Sequence, residues 1–197
     1  MSFYIQYGDI IIREYKKSDL DAVHGMLSQP SVCATTCAIP YNCSRSFASM
    51  WLDSIRRGIK KKTDFEYGVF SVRNGQYLGN IGLIGINYTN KSADITYIVN
   101  PEFQGRGYAT LASKLIIAYG FDFLKLQRIH GKCMDFNIAS KSVMQKCGFT
   151  YEGLGRCEMI KDERFLNLEH YSILKSEYEK LKGLVFIPLN ARTEFRV

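Results

Sequence analysis

The chain has 197 residues, 46% of them hydrophobic, which is enough for one domain with its own core and too apolar for a disordered segment. Lysine and arginine number 26 against 19 aspartates and glutamates, and the resulting net charge of +7 favours anionic ligands without choosing between a phosphorylated cofactor and nucleic acid. Met1 to Asp9 has no basic stretch followed by an apolar one, and no apolar run approaches about 18 residues, which points away from a secretory signal or a membrane span and toward a cytoplasmic protein.

In chain order, Ile10-Ile11-Ile12 reads as a short buried strand, and Ser18-Asp19 offers an N-cap for a helix through about Leu27 that Gln29-Pro30 ends. Ser44 opens a second helix with Phe47, Met50, Trp51 and Ile55 along one face, and the basic run Arg56 to Lys62 reads as its solvated exit. From Phe65 the pattern turns to strands. Tyr67 to Val72 and Tyr77 to Asn87 flank Arg73-Asn74-Gly75-Gln76, and Asn-Gly between two such runs signals a hairpin. Ala93 to Val99 is the next strand.

After the turn Asn100 to Thr110 comes a helix, Leu111 to Phe123, with Leu111, Leu115, Ile116, Tyr119 and Phe123 as its apolar stripe. Arg128 to Met134 reads as a strand, Ile138 to Lys146 as a helix, Phe149 onward as a strand, and Asn167 to Leu174 as a last strand running into a charged helix, Lys175 to Lys182. Meandering strands favour antiparallel pairs and a strand-helix-strand unit favours a parallel one. The expected fold is therefore α+β, a mixed and mostly antiparallel sheet with helices on both faces. One domain spans residues 1–182, and residues 183–197, which show no clear period, form a C-terminal tail that packs on the body or on a partner.

Gln104-Gly105-Arg106-Gly107-Tyr108-Ala109-Thr110 lies at a strand-to-helix junction, where glycines let the backbone approach a ligand and the opening amides of the helix lack partners, a site suited to phosphate. A dinucleotide fingerprint would need a third glycine where Thr110 stands, and no Gly-Lys-Ser/Thr follows for an ATP-type loop. Read alone, the two glycines also fit a plain turn before a core helix. The six cysteines include no C-x-x-C pair, and Cys33 and Cys37 have no histidine close by in sequence, so free thiols are expected and no metal site. Cys133 and Cys147 read as structural rather than nucleophilic, with spatial pairing to His130 left open.

Taken with its neighbours, this turn resembles the acetyl-CoA loop of the GNAT superfamily of N-acetyltransferases, whose pattern is Q/R-x-x-G-x-G/A. Ala93-Asp94-Ile95-Thr96-Tyr97 resembles that family's A-E-I-G-Y strand. Arg128-Ile129, Asn137-x-x-Ser140 and Lys146-Cys147-Gly148-Phe149-x-x-Glu152-Gly153 follow in the family's order. The resemblance covers about Ile10 to Glu177 and is closest to the Rim-type branch, which acetylates ribosomal-protein N-termini. It implies a three-layer α/β/α fold whose six- to seven-stranded sheet is splayed at the acetyl-CoA site, with acetyl-CoA as co-substrate and no metal. It implies that Gln104, Gly105, Arg106, Gly107, Tyr108, Ala109 and Thr110 hold the pyrophosphate. Tyr97, Ile98 and Val99 would pair with the pantetheine in the gap beside Arg128 to Met134, and Asn137 would hold it from the far side while also capping the next helix.

In that family the acceptor amine attacks the thioester directly. Asp94, on the strand face shared by Thr96 and Ile98, stands at the family's carboxylate but is one methylene shorter, which suits a base acting through a water. The family's thiolate-protonating tyrosine falls at Met144, which cannot donate, and the resemblance assigns the proton to Ser140, one turn earlier on the same face. The oxyanion would meet the N–H of Val99 or a neighbour. The acceptor, a protein N-terminus or a small-molecule amine, would be bound by Val32 to Trp51 and by the turn Lys161 to Arg164. No membrane partner is implied, nucleic acid has only the net charge and basic run in its favour, and a homodimer is one assembly open to the chain. The shortened carboxylate and the missing tyrosine motivate an alternative: a non-catalytic acetyl-CoA-binding sensor or interaction module of the same fold.

Overall fold

The structure, a computed structural model, describes residues 3–186 together with the backbone of Glu194–Arg196. Its strands are β1 (Tyr4–Tyr7), β2 (Ile10–Arg13), β3 (Phe65–Ser71), β4 (Tyr77–Asn87), β5 (Ser92–Val99), β6 (Arg128–Met134), β7 (Thr150–Lys161), β8 (Arg164–Leu174) and β9 (Glu194–Arg196). The helices are α1 (Leu20–Leu27), α2 (Pro30–Thr35), α3 (Arg45–Lys61), α4 (Tyr108–Asp122), α5 (Ile138–Lys146) and α6 (Lys175–Leu181). The strands make one sheet in the order β7-β8-β6-β5-β4-β3-β2-β1-β9. Every neighbouring pair is antiparallel except β5 and β6, which the α4 crossover makes parallel.

That parallel pair is short. Ser92, Ala93 and Asp94 face Arg128, Ile129 and His130, and the described pairing stops there, while β5 stays bonded to β4 as far as Val99 and β6 to β8 as far as Met134. Beyond Asp94 the sheet therefore opens into two halves. On the β5 side, Gly79 has φ of +152°, and a Cβ built there would fall 2.1 Å from the carbonyl oxygen of Ile98, so only glycine lets β4 follow β5 this closely.

The sheet separates two cores. On one face Leu115, Ile116 and Tyr119 of α4, Met144 of α5 and Tyr178 of α6 pack with Ile81, Leu83, Ile95 and Ile129. On the other, Val23, Leu27, Ala48, Leu52 and Ile55 of α1 and α3 cover Tyr15, Phe70 and Tyr77. At roughly 1.5–3 kcal/mol per buried large side chain, these two layers supply the main drive for the architecture.

Several sequence expectations change. The sheet has nine strands rather than six or seven, because the short strands β1 and β9 at one side of the sheet carry little pattern of their own. Pro30 does not only end α1; it occupies the first turn of α2, where its missing N–H costs nothing. Asp19 does not cap α1 with its side chain. Its carboxylate accepts from Lys16 N at 2.7 Å and takes both guanidinium nitrogens of Arg13 at 2.8 and 3.0 Å. In α3, capped by Ser44 as expected, Met50 points to solvent and Ala48 and Leu52 are buried in its stead. Helix α4 begins at Tyr108 rather than Leu111 and is buried nearly all round from Ala112 to Phe121, while Phe123 is exposed, because α5 and α6 cover the side that a single-stripe helix would leave to water. Past α6, Phe186 is buried against Tyr178 and β9 pairs with β1, whereas 187–193 and 197, which belong to the expected tail, lie outside the described residues.

Candidate active site

The glycine turn is built at the open end of β5. Asn100 Oδ1 accepts from Glu102 N at 3.3 Å over a single tight turn, Pro101 to Phe103, and Gln104 Nε2 donates back to the Val99 carbonyl at 3.2 Å, tying the loop to the strand. Gly105 and Gly107 take φ of +75° and +82°, left-handed conformations that bend the chain straight into α4. Leu111 N makes the first intrahelical bond, to Gly107 O at 3.0 Å, and no side chain caps the helix. The amides of Tyr108, Ala109 and Thr110 are thus left for a ligand, and the positive end of a fully formed helix favours an anion there.

These amides line a cleft of about 390 Å³ that occupies the splay. Tyr97, Ile98 and Val99 of β5 form one wall, and Asn137, which caps α5, with Ala139, Ser140, Ser142, Val143 and Lys146 of α5 form the other. Asn100 N bonds to Leu78 O of β4 at 2.9 Å, so strand alternation directs the Val99 N–H the other way, into the gap. Asn137 Oδ1 caps α5 by accepting from Ser140 N at 3.1 Å, which leaves its Nδ2 as a donor for the cleft. The Tyr97 hydroxyl lies 2.8 Å from Ser140 Oγ and 3.2 Å from Ser140 O. Burial holds that phenol well above the ordinary tyrosine range, so it remains protonated. Met144, where the resemblance expected a tyrosine, is a core residue at 1% exposure.

Of the sequence-derived residues, Tyr97, Ile98, Val99, Gln104, Gly105, Gly107, Tyr108, Ala109, Thr110, Asn137 and Ser140 are brought together here. Two are not. Arg106 turns outward, donating to Glu102 O at 3.3 Å with its guanidinium over Phe103. Asp94 sits in the paired part of β5, on the face away from Tyr97, where His130 Nδ1 lies 3.0 Å from Oδ1. His130 Nε2 continues to His170 Nδ1 at 3.4 Å, His170 bonds Glu158, and Arg128 clamps Glu152, whose carboxyl it draws well below the usual range. This polar row lies on the open half of the sheet, and the segments expected to bind the acceptor meet nearby, with Lys161 Nζ donating to Ile39 O at 2.9 Å.

Residues not individually foreseen are Thr35 and Thr36 at the end of α2, and Ser142, Val143 and Lys146 on α5. The α5 set was readable as the i+3 to i+4 continuation of Ala139; the threonines fall inside Val32 to Trp51, the segment expected to bind the acceptor, without having been singled out there. Neither cysteine in question is placed as a nucleophile. His130 and Cys133 fall on opposite strand faces, and burial pushes the Cys147 thiol up to about 12. Among the described residues no cluster of histidine, cysteine and carboxylate is arranged to hold a metal.

Comparison with known proteins agrees with this geometry. Residues 9–150 match the family model described as "Acetyltransferase (GNAT) domain". A putative ribosomal N-acetyltransferase of Bacillus subtilis, YdaF, is 33% identical over 106 residues, which cover 54% of this chain and 58% of that protein. Spermidine N(1)-acetyltransferase of Escherichia coli is 26% identical over 167 residues, 85% of this chain and 87% of that one. The crystal structure of Vibrio cholerae spermidine N-acetyltransferase with CoA and spermine superposes with a TM-score of 0.76 at 24% identity, covering 87% of this chain and 98% of the other.

Proposed function

The chain belongs to the GNAT acetyltransferase family, and from that premise we propose how its cleft carries out acetyl-CoA-dependent N-acetylation of an amine. The observation that carries the reading is the uncapped start of α4, with its two left-handed glycines, facing the hydroxyl pair of Ser140 and Tyr97 across the splay. The amides of Tyr108, Ala109 and Thr110 hold the pyrophosphate. The free edge of β5 and Asn137 Nδ2 hold the pantetheine, and Lys146 at the rim supplies a cation for the remaining phosphate.

The Val99 N–H, pointing into the gap, receives the oxyanion as the amine attacks the thioester carbonyl. As the C–S bond breaks, Ser140 Oγ protonates the sulfur, and Tyr97, hydrogen-bonded behind it, orients that hydroxyl and passes a proton on to it. Asp94 stands off the cleft and is engaged by His130, so any part it takes as a base runs through a water.

We assign the acceptor to the Rim-type class, an α-amine at a protein N-terminus, on the ground that Ser140 replaces the tyrosine donor and Met144 is withdrawn into the core. A polyamine is the second reading, favoured by the carboxylates Asp94, Glu152 and Glu158 along the open sheet face. The domain is taken as residues 1–182 with 183–197 as an attached tail, acting in a reducing, cytoplasmic setting that suits its free thiols. A mass-spectrometric screen of acetyl-CoA with N-terminal peptides, polyamines and aminoglycosides tests this. Peptide acetylation is expected; tight acetyl-CoA binding with no acceptor turned over would favour the sensor module.

A further inference from the structure

The acceptor amine must lose a proton, and the cleft as described offers it no direct base. The face of the sheet under α1 and α3 holds another carboxylate. Glu66 enters β3 on that face beside Gly82, which has no side chain; a Cβ built on Gly82 would fall 2.7 Å from Glu66 Cα and 2.9 Å from its Cβ and Cγ, so the stem of Glu66 lies over the glycine. The register carries this toward the reaction. Glu66 faces Gly82, Gly82 faces Thr96, and Asn80 faces Ile98, a wall of the cleft. Asn80 Nδ2 donates to Glu66 Oε1 at 2.8 Å and to the Tyr15 hydroxyl at 3.1 Å, and that hydroxyl shares a hydrogen bond with Tyr77 at 3.1 Å. The carboxylate is thereby held by Asn80 of β4, the strand between β3 and β5, on the sheet face that also carries Thr96 and Ile98.

Packing does not account for two features of this arrangement. Among the described residues no lysine, arginine or histidine pairs with Glu66, and the charged group acting on it is Asp64 at the entry to β3, of the same sign. Asn80 Oδ1, in a side chain only 2% exposed, has no hydrogen-bond partner. A carboxylate without a cation next to an amide oxygen without a donor makes a pair of acceptors, the chemistry that receives an amine.

Resting on the acetyltransferase reading above, we infer that Glu66 is the carboxylate that meets the acceptor amine and takes its proton. The nitrogen lone pair forms the C–N bond to the acetyl carbon, and the N–H proton passes to Glu66. The C–S bond breaks, with its electron pair going to sulfur, which takes the Ser140 proton. Glu66 then returns its proton to solvent while Ser140 regains one through Tyr97, so the products are the amide and the free thiol. Burial, reinforced by Asp64 and opposed by the Asn80 hydrogen bond, pushes the Glu66 carboxyl up to about 7, which suits a base working near neutrality.

The test compares Glu66→Gln, Glu66→Asp and Asp94→Asn with the wild type, using the best amine of the screen, kcat/KM from pH 5.5 to 9, and acetyl-CoA affinity by calorimetry. Glu66→Gln is expected to lose about 10²-fold in kcat/KM, to lose the inflection near pH 7 and to keep acetyl-CoA affinity within about twofold, with Glu66→Asp in between. A Glu66→Gln protein with wild-type kcat/KM and the same inflection overturns the assignment alone, as does loss of that inflection in Asp94→Asn only. A wild type that acetylates no amine sinks the acetyltransferase reading and this assignment together.

Discussion

In the proposed mechanism Ser140 and Glu66 take their roles from their neighbours. A serine on a helix is usually a surface hydroxyl; here Tyr97, lifted in pKa by burial, lies 2.8 Å from it inside the cleft. Ser140→Ala is expected to lower kcat by about 10²-fold while leaving acetyl-CoA affinity nearly intact, and Tyr97→Phe to lower it less, as steady-state kinetics with parallel calorimetry would show. Unchanged turnover in Ser140→Ala would remove the proton-donor role. Glu66 makes a second prediction independent of activity. Its folded-state pKa of about 7 lies above the ordinary 4.5, so the folded protein binds the proton more tightly and stability falls as pH rises from about 4.5 to 7. Glu66→Gln escapes that loss. Thermal melts should therefore show the variant gaining on the wild type across this window, by on the order of 2–3 kcal/mol at pH 8, and a gap that does not change with pH would contradict the shifted carboxyl. Ser140 was singled out by the family resemblance, through Asn137-x-x-Ser140, whereas Glu66 carried no motif, because its environment comes from Asn80 and Tyr15, which are distant in sequence.

At the scale of elements, the loop and α4 act as one unit. The helix is buried nearly all round, so its axis and its first turn are fixed by both neighbouring layers, and the amides of that turn are preorganised instead of being ordered by the ligand. Gly107→Val forces a β-branched residue into φ of +82°, at roughly 1–2 kcal/mol of backbone strain, and sets a side chain beside the free amides. The expected result is a loss of acetyl-CoA affinity of about tenfold or more with the circular-dichroism spectrum unchanged, and retained affinity would refute the loop's role. The elements themselves were largely readable. β4, β6 and α5 follow hydrophobic period and turn residues closely, while α2, β1 and β9 were missed because each is short and takes its stability from what it packs against.

For the whole molecule, the two cores and the continuous sheet hold the splay open. β5 stays bonded to β4, which packs with α1, and β6 stays bonded to β8, so the gap between β5 and β6 is bounded by anchored halves. The chain beyond α6 contributes to one of those anchors. Phe186 is 2% exposed, with its ring edge-on to Tyr178 at 4.9 Å, and Tyr178 in turn stacks on Phe121 of α4. Phe186→Ala should cost about 3–5 kcal/mol and lower the Tm by roughly 6 °C or more, whereas a shift below about 1 °C would mean that this segment adds nothing to the body. By itself the sequence determined the class of fold and a glycine turn suited to phosphate, because glycine at a strand-to-helix junction has local consequences; the family resemblance added acetyl-CoA as the expected ligand and Ser140 as the proposed proton donor. Tertiary structure alone decided where β5 leaves β6, that Asp94 is drawn away to His130, and that Glu66 is held by Asn80, the residue facing Ile98. Each of these depends on strand register and on burial among residues far apart in the chain.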